Sequence, residues 1–292
     1  ERNPANFQPL TPLTFLERAA SVYPEHTAII HGKLKRSYSD FYSRSLRLAS
    51  ALSSQGIKRG DTVSAILSNT PAMLEAHYGV PMCGAVLHSI NTRLDPDTIA
   101  YQLDHSDAKA LIVDREFLDA VKISLELSEV SPILIDYNDS EYPVLDSLPE
   151  AIEYEAFLLQ GDTNYEWLMP EDEWDAISLN YTSGTTGNPK GVVSHHRGAY
   201  LLAQGNAMIA SIKKHSVYLW TLPMFHCNGW CFPWTMSAII GTHVCLRHVR
   251  AKPIWESLEK HKVTHLCGAP IVMSTMLAAQ ENEKKLLQNK VE

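Results

Sequence analysis

The sequence predicts an α/β protein built on mostly parallel sheets flanked by helices. Three observations carry this. From about residue 60, short apolar strands alternate with amphipathic helices, the pattern of right-handed βαβ units. A second series of the same kind starts near Val217. The chain has 292 residues, 45% of them hydrophobic, enough to bury a large core as one domain or two lobes.

In chain order, residues 1–13 are rich in Pro and Asn and read as an extended arm, and a helix begins over 13–20. Residues 28–31 and 34–38 read as paired strands turning at Gly32-Lys33. Asp40 is placed to cap a helix whose apolar face is Phe41, Ser45, Leu48, Ala49 and Leu52, with Gly56 ending it. A strand over 61–67 precedes a helix carrying Met73, Leu74, His77 and Tyr78, and 84–90 is another apolar strand. Asp95-Pro96 is an N-cap followed by proline at the first helical position, and Ile99 and Leu103 form that helix's buried face. Residues 110–113 are again a strand, and 161–175 read as a long acidic loop. The alternation of 176–181 marks a half-buried strand, and Gly191-Val-Val a second short one. Ser194 then caps a helix with Leu201, Leu202, Met208, Ile209 and Ile212 on one face. The second series runs as a strand at 218–221, a loop at His226, a helix from Trp230, a strand at 242–246, a helix from Pro253 and a strand from His265.

The net charge of −8 is unevenly spread. Residues 123–189 hold fifteen of the 33 acidic side chains and none of the 25 basic ones, which argues against a nucleic-acid surface there. No apolar run reaches the roughly 18 residues of a membrane span. Five widely spaced cysteines and no N-terminal signal-peptide pattern read as a reduced intracellular, cytoplasmic protein, organelles remaining open.

The most informative stretch is Tyr181-Thr-Ser-Gly-Thr-Thr-Gly-Asn-Pro-Lys-Gly-Val192, four hydroxyl residues, three glycines and Lys190 within twelve positions. Glycine lets backbone N–H groups turn toward an anion, hydroxyls add neutral donors, and lysine adds charge. That is the chemistry of a polyphosphate cradle, and ATP is the first ligand it suggests. It is not the Gly-x4-Gly-Lys-Ser/Thr loop: counted from Gly184, Pro189 stands where glycine is needed, and Gly191 where Ser/Thr would hold magnesium. The plain alternative is a Gly/Thr-rich surface turn.

The whole run resembles the signature of the adenylate-forming superfamily: acyl-CoA synthetases, luciferases and peptide-synthetase adenylation domains. Two more segments carry the resemblance, Pro223-Met-Phe-His-Cys-Asn-Gly-Trp230 and Gly60-Asp-Thr-Val…Ser68-Asn…Glu75…Gly84-Ala…Asn91-Thr-Arg-Leu94. The similarity covers essentially all 292 residues, and the run 226–234 is most like enzymes that activate fatty or related acids.

The resemblance implies two packed lobes, one over about 58–210 and the other combining about 12–55 with 217–292, together a partial N-terminal adenylation domain. It implies a carboxylic acid, a short- or medium-chain fatty acid first, attacking ATP to give an acyl-adenylate, and coenzyme A then taking the acyl group. Thr182, Ser183, Gly184, Thr185, Thr186, Gly187 and Lys190 would hold the β- and γ-phosphates, with Thr185 meeting Mg2+. His226 and Lys190 would be catalytic, and His226, Asn228 and Trp230 would meet the acid, with Phe232 and Trp234 as further pocket candidates. His226-Cys227-x3-Cys231 lacks the paired spacing of a zinc site. The family's Tyr-Gly-x-Thr-Glu segment, ribose-binding Asp, hinge and small mobile domain with its catalytic lysine do not occur before Glu292. The expectation is a half-built ATP site with weak nucleotide binding and little turnover by this chain alone, and an intact mass above 32.7 kDa. An oligomer is compatible with the sequence. Readings kept open are a non-catalytic acyl- or nucleotide-binding module, transfer to a carrier-protein thiol, and a phosphotransferase or ATPase.

Overall fold

A computed structural model describes residues 1–3, 5–182 and 188–292. In chain order the elements are α1 (Leu13–Val22), β1 (Thr27–His31), β2 (Leu34–Ser37), α2 (Tyr38–Ser54), β3 (Thr62–Ile66), α3 (Pro71–Met82), β4 (Val86–Ser89), α4 (Pro96–His105) and β5 (Ala108–Asp114). Then follow α5 (Leu118–Leu127), β6 (Ile133–Tyr137), β7 (Ile152–Glu153), α6 (Tyr154–Leu159), β8 (Ala176–Tyr181), β9 (Gly191–His195) and α7 (His196–Ile209). The chain closes with β10 (Val217–Leu219), the single turn α8 (Cys227–Trp230), α9 (Phe232–Ala238), β11 (Thr242–Val244), α10 (Ala251–Lys260), β12 (His265–Leu266) and α11 (Pro270–Leu277).

The strands form two sheets. One has the order β7-β6-β5-β3-β4-β8-β9 and is parallel except where β8 meets β9. The other has the order β12-β10-β11-β1-β2 and is parallel except for the β1–β2 hairpin. Alternation along each strand sends side chains to different cores. Val63, Ala110, Ile112 and Ile135 face a central core shared with Tyr218, Trp220 and helices α1, α2, α3 and α9. Ile66, Leu111 and Val113 face a second core under α4 and α5. Ile30, Leu219 and Val244 face a third under α10 and α11. The helices are thus layered between and outside the two sheets.

Buried ion clusters cross between the sheets. Glu75 of α3 receives Arg36 of β2 (2.5 Å), Arg44 of α2 (2.7 Å) and the Tyr154 hydroxyl of α6 (2.8 Å). Arg247, just past β11, meets Asp114 at the end of β5 (2.6 Å) and Asp139 past β6 (2.9 Å), and Asp139 also meets His31 of β1 (2.8 Å). Removing one member of such a buried set leaves its partners uncompensated.

Local chemistry explains most element ends. Asp95 accepts from the Thr98 N–H and Pro96 opens α4, as the sequence predicts. The cap of α2 is Ser37 rather than Asp40. Ser37 and Asp40 form a reciprocal capping box, so Asp40 is its third-position partner and Tyr38 belongs to the helix. The cap of α7 is His195, whose Nδ1 accepts from the Gly198 N–H, in place of Ser194. Helix α7 buries Ala199 and Ala203, while Leu201, Leu202, Met208 and Ile209 are exposed. Its small face allows close packing on α9, so the predicted stripe points outward within the helix, while Ile212, beyond the helix end, is buried in the central core. Helix α9 starts at Phe232 rather than Trp230, and α10 at Ala251 rather than Pro253. The strand β6 and helices α5 and α6 lie in a stretch where the sequence reading placed no element.

Several histidines are buried without charge. Loss of water pushes His88 and His243 down to about 3, and His77 and His196 to about 4. The unfolded chain binds protons at these positions below about 6.5 and the folded chain does not. Their contribution is therefore complete above pH 6.5 and falls by up to about 1.4 kcal/mol per group for each pH unit between there and the folded value of about 3 to 4. Urea denaturation between pH 7 and 5 should show steep acid loss of stability, with a shallower slope in His88→Gln. An equal slope in the variant would show that His88 is not one of these groups.

Candidate functional site

The phosphate-loop candidate joins β8 to β9. Antiparallel pairing brings Tyr181 opposite Gly191 and closes the stem. Beyond it, the Thr182 N–H donates to the Lys190 carbonyl (3.0 Å), and the Lys190 N–H donates to Thr182 Oγ1 (3.2 Å). The stem is braced from α4: the Tyr101 hydroxyl donates to the Pro189 carbonyl (3.2 Å), and His105 Nδ1 pairs with the Tyr181 hydroxyl (2.7 Å). Thr182 and Lys190 are exposed, and Lys190 has no ion pair among the described residues. Ser183, Gly184, Thr185, Thr186 and Gly187 lie outside the described residues.

The His226 segment is held against the ends of β3, β4 and β8 by three asparagines. Asn69, past β3, donates from Nδ2 to the carbonyls of Trp220 (2.8 Å) and Leu222 (3.0 Å) and accepts from the Met224 N–H (2.8 Å). Asn180 of β8 donates to the Phe225 carbonyl (3.0 Å). Asn228 Nδ2 donates to Ser89 Oγ at the end of β4 (3.2 Å). Asn180 stands two residues before Thr182, and Phe225 one before His226. One hydrogen bond therefore places the root of the phosphate-loop candidate beside the root of the His226 segment.

His226 itself is exposed and begins an unusual turn. Cys227, Asn228, Gly229, Trp230 and Cys231 all have positive φ, from 41° to 62°. Left-handed backbone costs L residues about 1–2 kcal/mol each, with Gly and Asn the exceptions, so Cys227, Trp230 and Cys231 carry the strain. Gly229 is doubly required, because a Cβ there would come within 2.9 Å of the Trp220 ring. The turn is tied down by Gly229 N–H to His226 carbonyl (2.9 Å), Cys231 N–H to Asn228 carbonyl (3.1 Å) and Asn206 Nδ2 to Trp230 carbonyl (2.8 Å).

The remaining sequence candidates separate. Asn228 is buried with its Nδ2 on Ser89, and its Oδ1 has no partner among the described residues. Trp230 is half exposed. Phe232 and Trp234 are core residues: Phe232 stacks on Tyr218, and Trp234 Nε1 donates to the His77 carbonyl. Sequence reasoning missed Asn180, Ser89 and Asn206. The available signals were a polar amide inside an apolar strand and the left-handed-tolerant pair Asn228-Gly229.

The described arrangement offers the exposed Thr182 and Lys190 at the stem of the loop, with an exposed imidazole on a segment fastened to that stem. A family model described as AMP-binding enzyme matches residues 16–291. The chain belongs to the AMP-binding enzyme family.

Among its relatives, the peroxisomal acetate/butyrate–CoA ligase of Arabidopsis thaliana is 48% identical over 291 residues, covering 96% of this chain and 51% of the relative. An acetate–CoA ligase of Humulus lupulus is 47% identical, covering 97% and 52%. The peroxisomal benzoate–CoA ligase of Arabidopsis thaliana is 45% identical, covering 94% and 48%. The chain spans about half the length of these curated relatives. A long-chain-fatty-acid–CoA ligase from Archaeoglobus fulgidus shares the fold with a TM-score of 0.81 at 21% identity, over 93% of this chain and 54% of that one. The N-terminal domain of FACL13 from Mycobacterium tuberculosis shares it with a TM-score of 0.78 at 22% identity, over 93% and 66%.

Asn69 should be a stability hub. Asn69→Ala strands two carbonyls and one N–H, and is expected to cost about 3 kcal/mol in urea denaturation. Asn69→Asp should cost at least as much, since a carboxylate would face the Trp220 and Leu222 carbonyls. A loss under about 1 kcal/mol for both variants would show that water replaces the amide without penalty.

Proposed function

We propose that this chain forms the phosphate- and acid-binding part of an enzyme that activates a carboxylic acid with ATP and passes the acyl group to coenzyme A. The observation that carries this reading is the Asn180–Phe225 hydrogen bond, which fastens the His226 segment to the stem of the basic loop. The loop residues Thr182 through Gly187 and Lys190 would bind the β- and γ-phosphates. The carboxylate oxygen would attack the α-phosphorus, releasing pyrophosphate and leaving an acyl-adenylate. The CoA sulfur would then attack the acyl carbon, releasing AMP. Such chemistry depends on positioning and on neutralising developing charge.

Lys190 is assigned to that charge and His226 to the acid and the developing oxyanion. Asn228 and Trp230 are assigned to the acid's surroundings, Asn228 acting through its hold on Ser89. Mg2+ would neutralise part of the triphosphate charge. The hydroxyl we assign to it is Thr185, and hydroxyl-rich loop chemistry suits a hard cation. Short aliphatic acids come first among substrates, supported by the acetate and butyrate in the names of two relatives. Aromatic acids come second, supported by the benzoate–CoA ligase. The same names place relatives in the peroxisome, so we infer an intracellular compartment with the peroxisome beside the cytoplasm. Among the described residues no helix is long and apolar enough to cross a membrane. We also infer two lobes, about 58–210 and about 12–55 plus 217–292, supported by the division of the strands between two sheets.

The test is acid-dependent exchange of pyrophosphate into ATP by the full-length protein, across aliphatic acids of graded length and benzoate. Exchange with a chain-length optimum is expected. Lys190→Ala should raise the ATP KM about tenfold or more, and His226→Ala should lower turnover about 10²-fold. Release of ADP and phosphate instead of AMP and pyrophosphate would contradict the proposal.

A further inference from the structure

The left-handed turn after His226 is held against its own backbone preference, which the assignment of Asn228 and Trp230 to the acid's surroundings does not by itself require. Strained backbone persists only where surrounding structure over-determines it, and such strain concentrates where geometry matters for function. Here the surroundings come from three directions. Ser89, at the end of β4, holds the Asn228 side chain at 3.2 Å. Asn206 of α7 reaches the Trp230 carbonyl at 2.8 Å and Thr235 Oγ1 at 3.3 Å. The Trp220 ring lies against Gly229, and that ring is itself fixed by its Nε1 donating to His243 Nδ1 at 3.1 Å.

Helix α7 follows directly from β9, the strand that receives the phosphate-loop candidate. Asn206 therefore joins the element leaving that loop to the element carrying His226, on the side opposite the Asn180–Phe225 bond. Two independent ties, one on each side of His226 in sequence, leave its backbone little freedom.

We propose that the turn Cys227–Cys231, clamped by Asn206 and Ser89, is the device that positions His226 over the reacting acid, with Asn206, Ser89 and Asn228 as positioning residues. The proposal rests on the adenylating function inferred above. The left-handed conformation matters because it reverses the chain's curl immediately after His226. A relaxed, right-handed turn would take the Trp230 carbonyl off Asn206 and the Asn228 amide off Ser89, leaving His226 held on one side only, through Phe225.

Cys227 allows the backbone to be tested alone, because its side chain is exposed. Glycine and asparagine tolerate its φ of 41°. Valine, branched at Cβ, does not. All three substitutions remove the thiol, so they differ in backbone preference. Cys227→Val is expected to lower kcat/KM for the acid about tenfold or more, on the scale of catalytic losses from small misplacements. Its ATP KM should stay within about twofold of the unaltered protein, and Cys227→Gly and Cys227→Asn should stay within about twofold on both measures. Asn206→Ala should resemble Cys227→Val.

Amide hydrogen exchange at Gly229 and Cys231 reads the turn whether or not the protein is active. Protection should be lost in Cys227→Val and kept in Cys227→Gly. Valine and glycine variants that match in both acid kinetics and protection would overturn the proposal, as would an ATP KM that rises as much as the acid's. If the unaltered protein activates no acid, the proposed function fails on its own. The exchange data then still decide whether Asn206 and Ser89 clamp the turn: protection unchanged in Asn206→Ala and Ser89→Ala overturns the clamp.

Discussion

A primary amide at the end of β3 holds the two halves of the candidate site together. Asn69 is nearly buried, and its side chain pairs with two carbonyls and one N–H from the segment that follows β10. Burying an amide is unfavourable unless its groups are paired. All of Asn69's partners lie in the segment that follows β10 of the other sheet, so the pairing is satisfied in one mutual arrangement of that segment and β3. The ion clusters around Glu75 and Arg247 enforce the same arrangement at two other places. Charge and hydrogen bonding specify how apolar layers stack, since burial alone is not directional.

That arrangement has a chemical consequence. Strands β3, β4, β5, β6 and β8 run parallel, so their carboxyl ends gather along one edge of the sheet. In open α/β sheets this edge is where ligands bind. The phosphate-loop candidate leaves from the end of β8, and Asn69 and Ser89 stand at the ends of β3 and β4. The segment after β10 crosses to meet them, bringing His226. Neither sheet alone supplies both the stem of the loop and the His226 segment.

Much of this was legible from residue pattern. Alternation identified β3, β8 and the strands of the second series, and Asp95-Pro96 marked the start of α4, because those signals are local. The outward face of α7 was misjudged because periodicity reveals a stripe but not which neighbour lies beneath it. Ala199 and Ala203 are small enough for close helix packing, and that decided the buried side. The stretch containing β6 and α6 is punctuated by Pro132, Pro143 and Pro149, but its elements span only five and six residues, too short for a clear period. At the candidate site, the strands β8 and β9 that carry the loop were legible from their residue pattern, whereas the hold of Asn180 and Asn206 depends on residues 45 and 24 positions away. Nothing local announces such a bond. The left-handed turn left one faint signal, Asn228-Gly229, and its tertiary braces were invisible.

The central claim is that the stem of the basic loop and the His226 segment form two walls of one cleft. A crystal structure of the full-length protein with a carboxylic acid and an ATP analogue that cannot be cleaved between the α- and β-phosphates tests it most directly. The β- and γ-phosphates are predicted beside Lys190 and the 182–187 loop, the acid facing His226, and residues 227–231 still left-handed. An analogue bound elsewhere, or one touching the loop while His226 points away from it, would contradict the account.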